Sequence, residues 1–496
     1  MASIDRAAQS VAAQLHFASA TEAAHAIRTR QVSSVELTGH MLQRIDALNP
    51  KLNALVTLTA GAAMDRARQA DEALARGEWW GPFHGVPCTI KDTFETAGVR
   101  TTAGALPDHL PEQDAPVVER LKAAGAVILG KTNIPPLAAD WQSFNGIFGT
   151  TNNPWDPART PGGSSGGEAA AIAAGLSFLG LGSDIGGSIR VPAHFCGVYG
   201  HKPTLGVVSL RGHIPPPPGL PPQPLAMGVG NLPVAGPLAR SASDLRAALQ
   251  VIGGPDSHDS VAWRWSLPHP RRSRLRDYHI GYVLDDPLCP VSAPVKKLLA
   301  EAVEALRKAG AALQEGWPAG LNSAEQLDTY RYMIFAVMAL FMRPEDVEQA
   351  RQGAKAGDPV GRAMERAITA PHPVFLEANT RRCASLALWQ DYFRTHDAFL
   401  LPTAYTPAFP HDRCMPMEVR TIATPEGARN YMDLLFWMTP ATLNGLPATI
   451  APVGLTPEGL PVGLQIVGPY LEDATPIDLA GRLSELSGGY QSPPGF

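Results

Sequence analysis

Two clusters of glycine around serine stand out in the sequence: Gly162-Gly163-Ser164-Ser165-Gly166-Gly167 and Asp184-Ile185-Gly186-Gly187-Ser188-Ile189-Arg190. Glycine loses more backbone freedom on folding than any other residue, so a chain that keeps these needs unusual geometry or close approach there. The first cluster does not fit a phosphate cradle: no Lys-Ser/Thr follows its glycines, and Glu168 sets a negative charge where phosphate would lie. Its letters match a GxSxG nucleophile elbow, but an elbow follows a strand, and residues 152–161 are polar and hold three prolines. Taken alone, the cluster reads as readily as a glycine-rich turn with exposed serines. Upstream, Gly85-Val86-Pro87-Cys88-Thr89-Ile90-Lys91-Asp92 has the pattern of a short strand with a lysine at its tip.

The surrounding periodicity supplies elements to position these residues. Residues 33–48 read as an amphipathic helix: Ser33 and Glu36 form a capping box, Leu37, Met41, Ile45 and Leu48 share a face, and Asn49-Pro50 stops it. Residues 62–76 are helix-like. From 117 to 130 a helix gives way at Gly125 to the strand 126–129, and a strand at 279–284 is followed by a helix over 295–310. Later strands are expected at 398–401, 448–453 and 460–467, then a helix over 476–486. The Ala-rich segment between the two Gly/Ser clusters reads as one buried helix; its apolar run, 169–182, is too short to span a bilayer. Helices alternating with short apolar strands predict an α/β sandwich with a largely parallel sheet. The proline-rich run 214–224 is expected to be extended polyproline II, outside any sheet interior.

Composition narrows the class. The 496 residues include 47 Gly and 47 Pro, with 45% hydrophobic and 18% charged. That suits a loop-rich protein with a large core, and the length alone suggests about three domains. With 41 basic and 46 acidic residues the net charge is −5, and no long like-charge run draws nucleic acid or anionic lipid. Five scattered cysteines form no CxxC pair, against both a disulfide framework and a zinc knuckle. The first thirty residues lack a continuous apolar core of a secretory signal. A cytoplasmic protein without a nucleic-acid partner or membrane segment is expected.

In order along the chain come GVPCTIKD, LGKTNIP at 129–135, NPWDPARTPGGSSGGE, GSDIGGSIRVPAHFCGVYGHKPT, NGLPAT at 444–449 and GLPVGLQIVG at 459–468. Together these resemble the amidase signature family over nearly the whole chain. The resemblance implies that family's α/β/α fold, a large mixed, mostly parallel sheet between helices. It also implies one domain over 1–496, not three, with a helical segment over about 1–75 and a variable pocket or lid region over about 210–230 and 320–430. Carried over by position, it implies Ser188 as nucleophile, Ser164 as a bridging serine joined to Gly163 by a cis peptide, and Lys91 as general base. A serine hydroxyl attacks only when a base takes its proton, and neither cluster contains a suitably placed histidine. Lys91 serves only when neutral, so burial must lower its pKa from about 10.4 to roughly 7 to 8.

The N–H groups of Ile185, Gly186, Gly187 and Ser188 are expected to form an oxyanion hole, with Asp184 and Arg190, and similarly Arg159, holding loops. The resemblance places the acyl pocket on Ala138, Ala139, Asp140 and Trp141; Pro136 stands where the family often has an acidic residue. Residues 330–342, apolar nearly all round, are a second expected wall. Cys88 reads as a small buried strand residue, His201 as a hydrogen-bonding departure from the family's apolar choice, and His411-Asp412-Arg413-Cys414 as a solvated loop. Trp79, Trp80, Trp263 and Trp265 read as packing residues. No metal or cofactor is implied. The leading expectation is a stand-alone amidohydrolase, monomer or homodimer, acting on a bulky apolar or aromatic amide, with carbamates and esters within its chemistry. Alternatives are the amidase subunit of a glutamine-dependent tRNA amidotransferase and a non-catalytic binding protein on the same fold.

Overall fold

The capping box at Ser33 forms as expected. The Ser33 hydroxyl accepts the Glu36 N–H at 3.1 Å, and the Glu36 carboxylate accepts the Ser33 N–H at 2.8 Å. The helix it opens runs Ser34–Leu52, past the expected stop, with Pro50 inside its last turn. Proline there lacks the N–H that would pair one turn back, and the helix ends two residues later at Leu52, followed by left-handed Asn53. Asn49 instead organises the exit: its side-chain oxygen accepts the N–H groups of Ala54 and Leu55, both at 2.9 Å. The structure, a computed structural model, describes residues 11–214, 231–342, 344–355 and 359–496. The proline-rich run from residue 215 onward, and with it part of the expected lid region, lies outside the described residues.

Eleven strands form one sheet. In spatial order they are Leu55–Leu58, Val127–Thr132, Pro87–Lys91, Leu179–Asp184, Val234–Ala239, Tyr199–Lys202, Ala448–Leu455, Pro461–Val467, Ala398–Pro402, His279–Tyr282 and Ala312–Glu315. The sheet is mixed. Parallel pairing is concentrated in two blocks, Pro87–Lys91 with its two neighbours and His279–Tyr282 with its two. The strands between these blocks pair antiparallel. Helices cover both faces: Ala448–Leu455, for example, packs against Arg190–Cys196 and against Ala474–Ser487. This is the α/β sandwich expected from the alternation of helix and strand.

One misreading bears directly on the site. The Ala-rich segment is not a single helix: Gly166–Ala173 is helical, the chain turns at Gly175, and Leu179–Asp184 is a strand. That strand lies parallel to Pro87–Lys91, with Ile90 opposite Leu181. Two parallel neighbours end at the same edge of a sheet, so Lys91 and the loop after Asp184 emerge side by side, at the carboxyl ends where α/β sheets place ligands. The helix Gly166–Ala173, buried along its whole length, begins immediately after Ser164 and Ser165. Fold topology thus gathers residues from three distant segments.

Candidate active site

Lys91 is fully buried. Its Nζ lies 2.7 Å from Ser164 Oγ, 2.9 Å from Ser183 Oγ and 3.5 Å from the Ser183 carbonyl. Burial lowers its pKa to about 7, while the more distant Asp184 and Glu168 carboxylates resist that fall. Near neutrality a substantial share of the amine is therefore neutral and able to take a proton. The Gly163–Ser164 peptide is cis, as the resemblance implies. Ser188 joins through its backbone: the Ser165 N–H donates to the Ser188 carbonyl at 3.1 Å. Ser188 Oγ has no hydrogen-bond partner among the described residues, so the structure closes the lysine–Ser164 contact but not a Ser164–Ser188 contact.

The loop beyond Asp184 is pinned from several sides. Arg190 pairs with Asp184 at 2.8 Å, both fully buried, and also reaches Gln465, Thr442 and the Met438 carbonyl. Burial would raise the Asp184 pKa, but the Arg190 guanidinium and N–H donors hold it down at about 2. This carboxylate accepts the N–H groups of Gly187 at 2.9 Å, Ile189 at 3.0 Å and Arg190 at 3.3 Å. Of the four N–H groups expected to form an oxyanion hole, that of Gly187 is engaged by the Asp184 carboxylate. The N–H groups of Ile185, Gly186 and Ser188 have no acceptor among the described residues. Asp184 and Arg190 hold the loop; Arg159 ties its own segment to Asp156 and the Ala408 carbonyl.

Two further donors were not legible as part of this loop. Trp141 Nε1–H donates to the Gly186 carbonyl at 2.6 Å, and the Tyr330 hydroxyl donates to the Ile185 carbonyl at 2.6 Å. Each fixes the carbonyl end of a peptide plane whose N–H end belongs to the loop. Trp141 was expected to line the acyl pocket, and it does come within reach of Gly186. A Cβ built on Gly186 would meet Ile334 Cδ1 at 3.5 Å, Trp141 Cζ2 at 3.7 Å and Leu435 Cδ2 at 3.9 Å. The surface beside the loop is therefore apolar.

Asp140 does not offer a free carboxylate. It pairs with Arg420 at 2.7 Å, their side chains 5% and 0% exposed, and accepts the Tyr431 hydroxyl at 2.5 Å. Burial raises its pKa although Arg420 opposes that. Ala138 is half-buried on a short 3-10 turn, Pro136–Ala138, and Ala139, just past it, is exposed; their N–H groups bond back to Pro135 and Pro136. Gly163 is pressed onto this segment: an added Cβ would lie 2.6 Å from the Asp140 carbonyl and 2.7 Å from the Gln142 nitrogen. The helix expected as a second wall is observed as Ser323–Met338, and it supplies both Tyr330 and Ile334.

Among the other singled-out residues, Trp263 is exposed and not packed as expected. Cys88 is buried, and that burial pushes its thiol well above the ordinary range. His201 lies between Asp473 at 3.1 Å and Thr449 at 2.9 Å. Trp79 and Trp80 pack around His84. Ser183 and His213 are site neighbours that sequence reasoning missed. Ser183 directly precedes Asp184, a position where strand alternation would have pointed its side chain opposite to its neighbours.

An α/β sheet whose strand ends bring a buried lysine and two serine-bearing loops together is the frame of a hydrolase. The family model described as Amidase matches residues 36–476. The chain belongs to that family, the amidase signature enzymes, hydrolases acting on carbon–nitrogen bonds. A glutamyl-tRNA(Gln) amidotransferase subunit from Carboxydothermus hydrogenoformans is 34% identical over 495 residues, covering 94% of this chain and 96% of that one. A structure described as a vestigial protein complex that reveals the evolutionary origins of an s-triazine catabolic enzyme superposes with a TM-score of 0.78 at 28% identity, covering 96% and 99%. A 6-aminohexanoate cyclic dimer hydrolase gives 0.76 at 26%, covering 97% and 99%.

These relatives correct one expectation. Charge predicts a chain with no nucleic-acid partner, and the family resemblance a stand-alone monomer or homodimer acting on a small-molecule amide. The relative matched nearly end to end is named as one subunit of a larger enzyme, and of an enzyme of tRNA. Net charge speaks to direct capture of nucleic acid by this chain; it is silent about an assembly in which another chain holds it. Among the described residues, no helix is long and apolar enough to cross a membrane.

Proposed function

We propose that the chain hydrolyses an amide through an acyl-enzyme on Ser188, with Ser164 as proton relay and Lys91 as base. The observation that carries this reading is the 2.7 Å contact between a fully buried Lys91 and Ser164. Ser188 Oγ attacks the carbonyl carbon, its proton passing to Ser164 as the Ser164 proton passes to Lys91 Nζ. The developing oxyanion is met by the free N–H groups of Ile185, Gly186 and Ser188; a donor of this kind contributes about 10² to 10³ in rate. As the carbon–nitrogen bond breaks, the proton returns through Ser164 to the leaving nitrogen. Water then attacks the acyl carbon by the same relay.

Trp141, Ile334 and Leu435 around Gly186 favour an apolar acyl or amine group, and aryl anilides and carbamates share the reacting carbonyl. A second reading is favoured by the full-length relationship to an amidotransferase subunit: an amidase component that frees ammonia from glutamine inside a multi-chain, tRNA-dependent enzyme. Glutamine carries an ammonium and a carboxylate, and Asp140, the carboxylate in the expected pocket segment, is already closed on Arg420 and Tyr431. Hydrolysis rates on a short amide, an anilide, a carbamate, a fatty amide and glutamine separate the readings. Anilide or carbamate turnover by the isolated chain supports the first. Glutaminase activity appearing only with added partner subunits, and none on apolar amides, supports the second. Absence of any covalent Ser188 adduct with an activated ester overturns both.

A further inference from the structure

Lys91 has a second hydroxyl partner, and that hydroxyl is itself held by a histidine. Ser183 Oγ lies 2.9 Å from Lys91 Nζ and 2.9 Å from His213 Nε2. A neutral lysine has two N–H groups and one lone pair, and it can take the Ser164 proton only if the lone pair faces Ser164. Its two N–H groups must then point at the Ser183 hydroxyl and the Ser183 carbonyl, 3.5 Å away. The carbonyl can only accept. The hydroxyl can accept or donate, and if it donated to Lys91 it would occupy the lone pair that the reaction needs.

We propose that His213 is a positioning residue for Lys91: its Nε2 accepts the Ser183 hydroxyl proton, so that Ser183 can only accept from Lys91 and the amine lone pair is left facing Ser164. This rests on Lys91 being the base. The chain Lys91 N–H to Ser183 O–H to His213 Nε2 requires the neutral imidazole with its proton on Nδ1. The surroundings keep the ring neutral: burial, then the charges of Lys91 and of Lys131 on the adjacent strand, depress its pKa to about 3. Of the other charged groups packed nearby, Asp184 and Glu168 act on Lys91, and Asp92 acts on Lys131.

The ring is fixed against the exit of the lysine strand. Residues Phe94 and His213 pair as an antiparallel bridge, the Glu95 N–H donates to the Gly212 carbonyl at 2.8 Å, and the Ile214 N–H donates to the Thr93 carbonyl at 2.8 Å. Phe94 meets the imidazole edge-on, centroids 5.0 Å apart. A histidine serving only the packing of this loop would not need a ring nitrogen aimed at the Ser183 hydroxyl.

Steady-state kinetics of His213→Phe, His213→Gln and Ser183→Ala across pH test the relay. In His213→Phe the Ser183 proton is free to turn to Lys91, which favours the neutral amine but hides its lone pair. Plateau kcat should fall about tenfold, short of the roughly 10² to 10⁴ that loss of the base itself would cost, with KM within about twofold, and the acid limb should move to lower pH. His213→Gln, which keeps an acceptor, should restore most of both. Wild-type kcat and pH profile in His213→Phe, or no rescue by His213→Gln, overturns the relay. Should His213→Phe fail to fold, the ¹⁵N spectrum of the wild-type protein decides: an Nδ1–H tautomer supports the relay, an Nε2–H tautomer or imidazolium at pH 7 overturns it. If Lys91→Met retains full activity, the base assignment itself fails, a result separable from failure of the relay.

Discussion

Lys91 Nζ lies 2.7 Å from Ser164 Oγ, and no carboxylate hydrogen-bonds to that amine among the described residues. The absence of an ion pair is what lets burial govern the lysine. A carboxylate in contact would favour the ammonium; here the nearest polar groups are hydroxyls and a carbonyl, and the pKa falls to about 7.

The rate should therefore rise with pH. The base must be neutral, so kcat/KM is expected to climb through an apparent pKa near 7 and level off above it, measured on an activated ester between pH 5 and 10. A flat acid side down to pH 5 would contradict a lysine base. Lys91→Met should lower kcat by about 10² to 10⁴.

The same substitution should stabilise the fold. Between the folded value of about 7 and the ordinary lysine value of 10.5, the unfolded chain holds a proton that the folded chain lacks. The resulting penalty is full below pH 7 and vanishes above 10.5. Lys91→Met is expected to raise Tm at pH 7 and to change it little near the top of that window, where calorimetry at the two pH values makes the comparison.

Ser188→Ala should abolish turnover with circular dichroism unchanged, since it removes the attacking oxygen. Ser164→Ala should keep a trace of acylation. Mass spectrometry after an activated ester locates the adduct, and an acyl group on Ser164 would reverse the two roles.

Trp141→Phe and Tyr330→Phe remove the donors that hold the Gly186 and Ile185 carbonyls. Each should lower kcat by about tenfold, less than the loss of a direct oxyanion donor, with little change in thermal stability. An unchanged kcat in both variants would mean that Asp184 and Arg190 suffice to hold the loop.

Arg420→Met would leave the Asp140 carboxylate buried without its partner. Breaking such a pair on one side costs about 3 to 5 kcal/mol, so denaturant unfolding should show a loss of that order. A loss well below 1 kcal/mol would mean that Tyr431 alone holds Asp140.

What the sequence made legible were features carried by near neighbours: the Ser33–Glu36 cap, the strand ending at Lys91, the glycine-flanked serines. The break in the Ala-rich segment was hidden because Ala, Leu and Gly suit a buried helix and a buried strand alike, and only pairing with Pro87–Lys91 decides. The engagement of the Gly187 N–H by Asp184 is not legible because the Asp184 side chain could as well face elsewhere. Asp140 looked available because its partner Arg420 is 280 residues away. His213 reaches Ser183 through a loop docking that no local pattern announces.

Gly163 leaves no room for a side chain, because the backbone of Asp140 to Gln142 fills that space. The segment expected to choose the substrate and the loop bearing Ser164 therefore move as one body. Natural or engineered changes of specificity along 138–142 are confined to side chains: an insertion or deletion there would displace the proton relay together with the pocket wall, so that selectivity and turnover could not be altered independently.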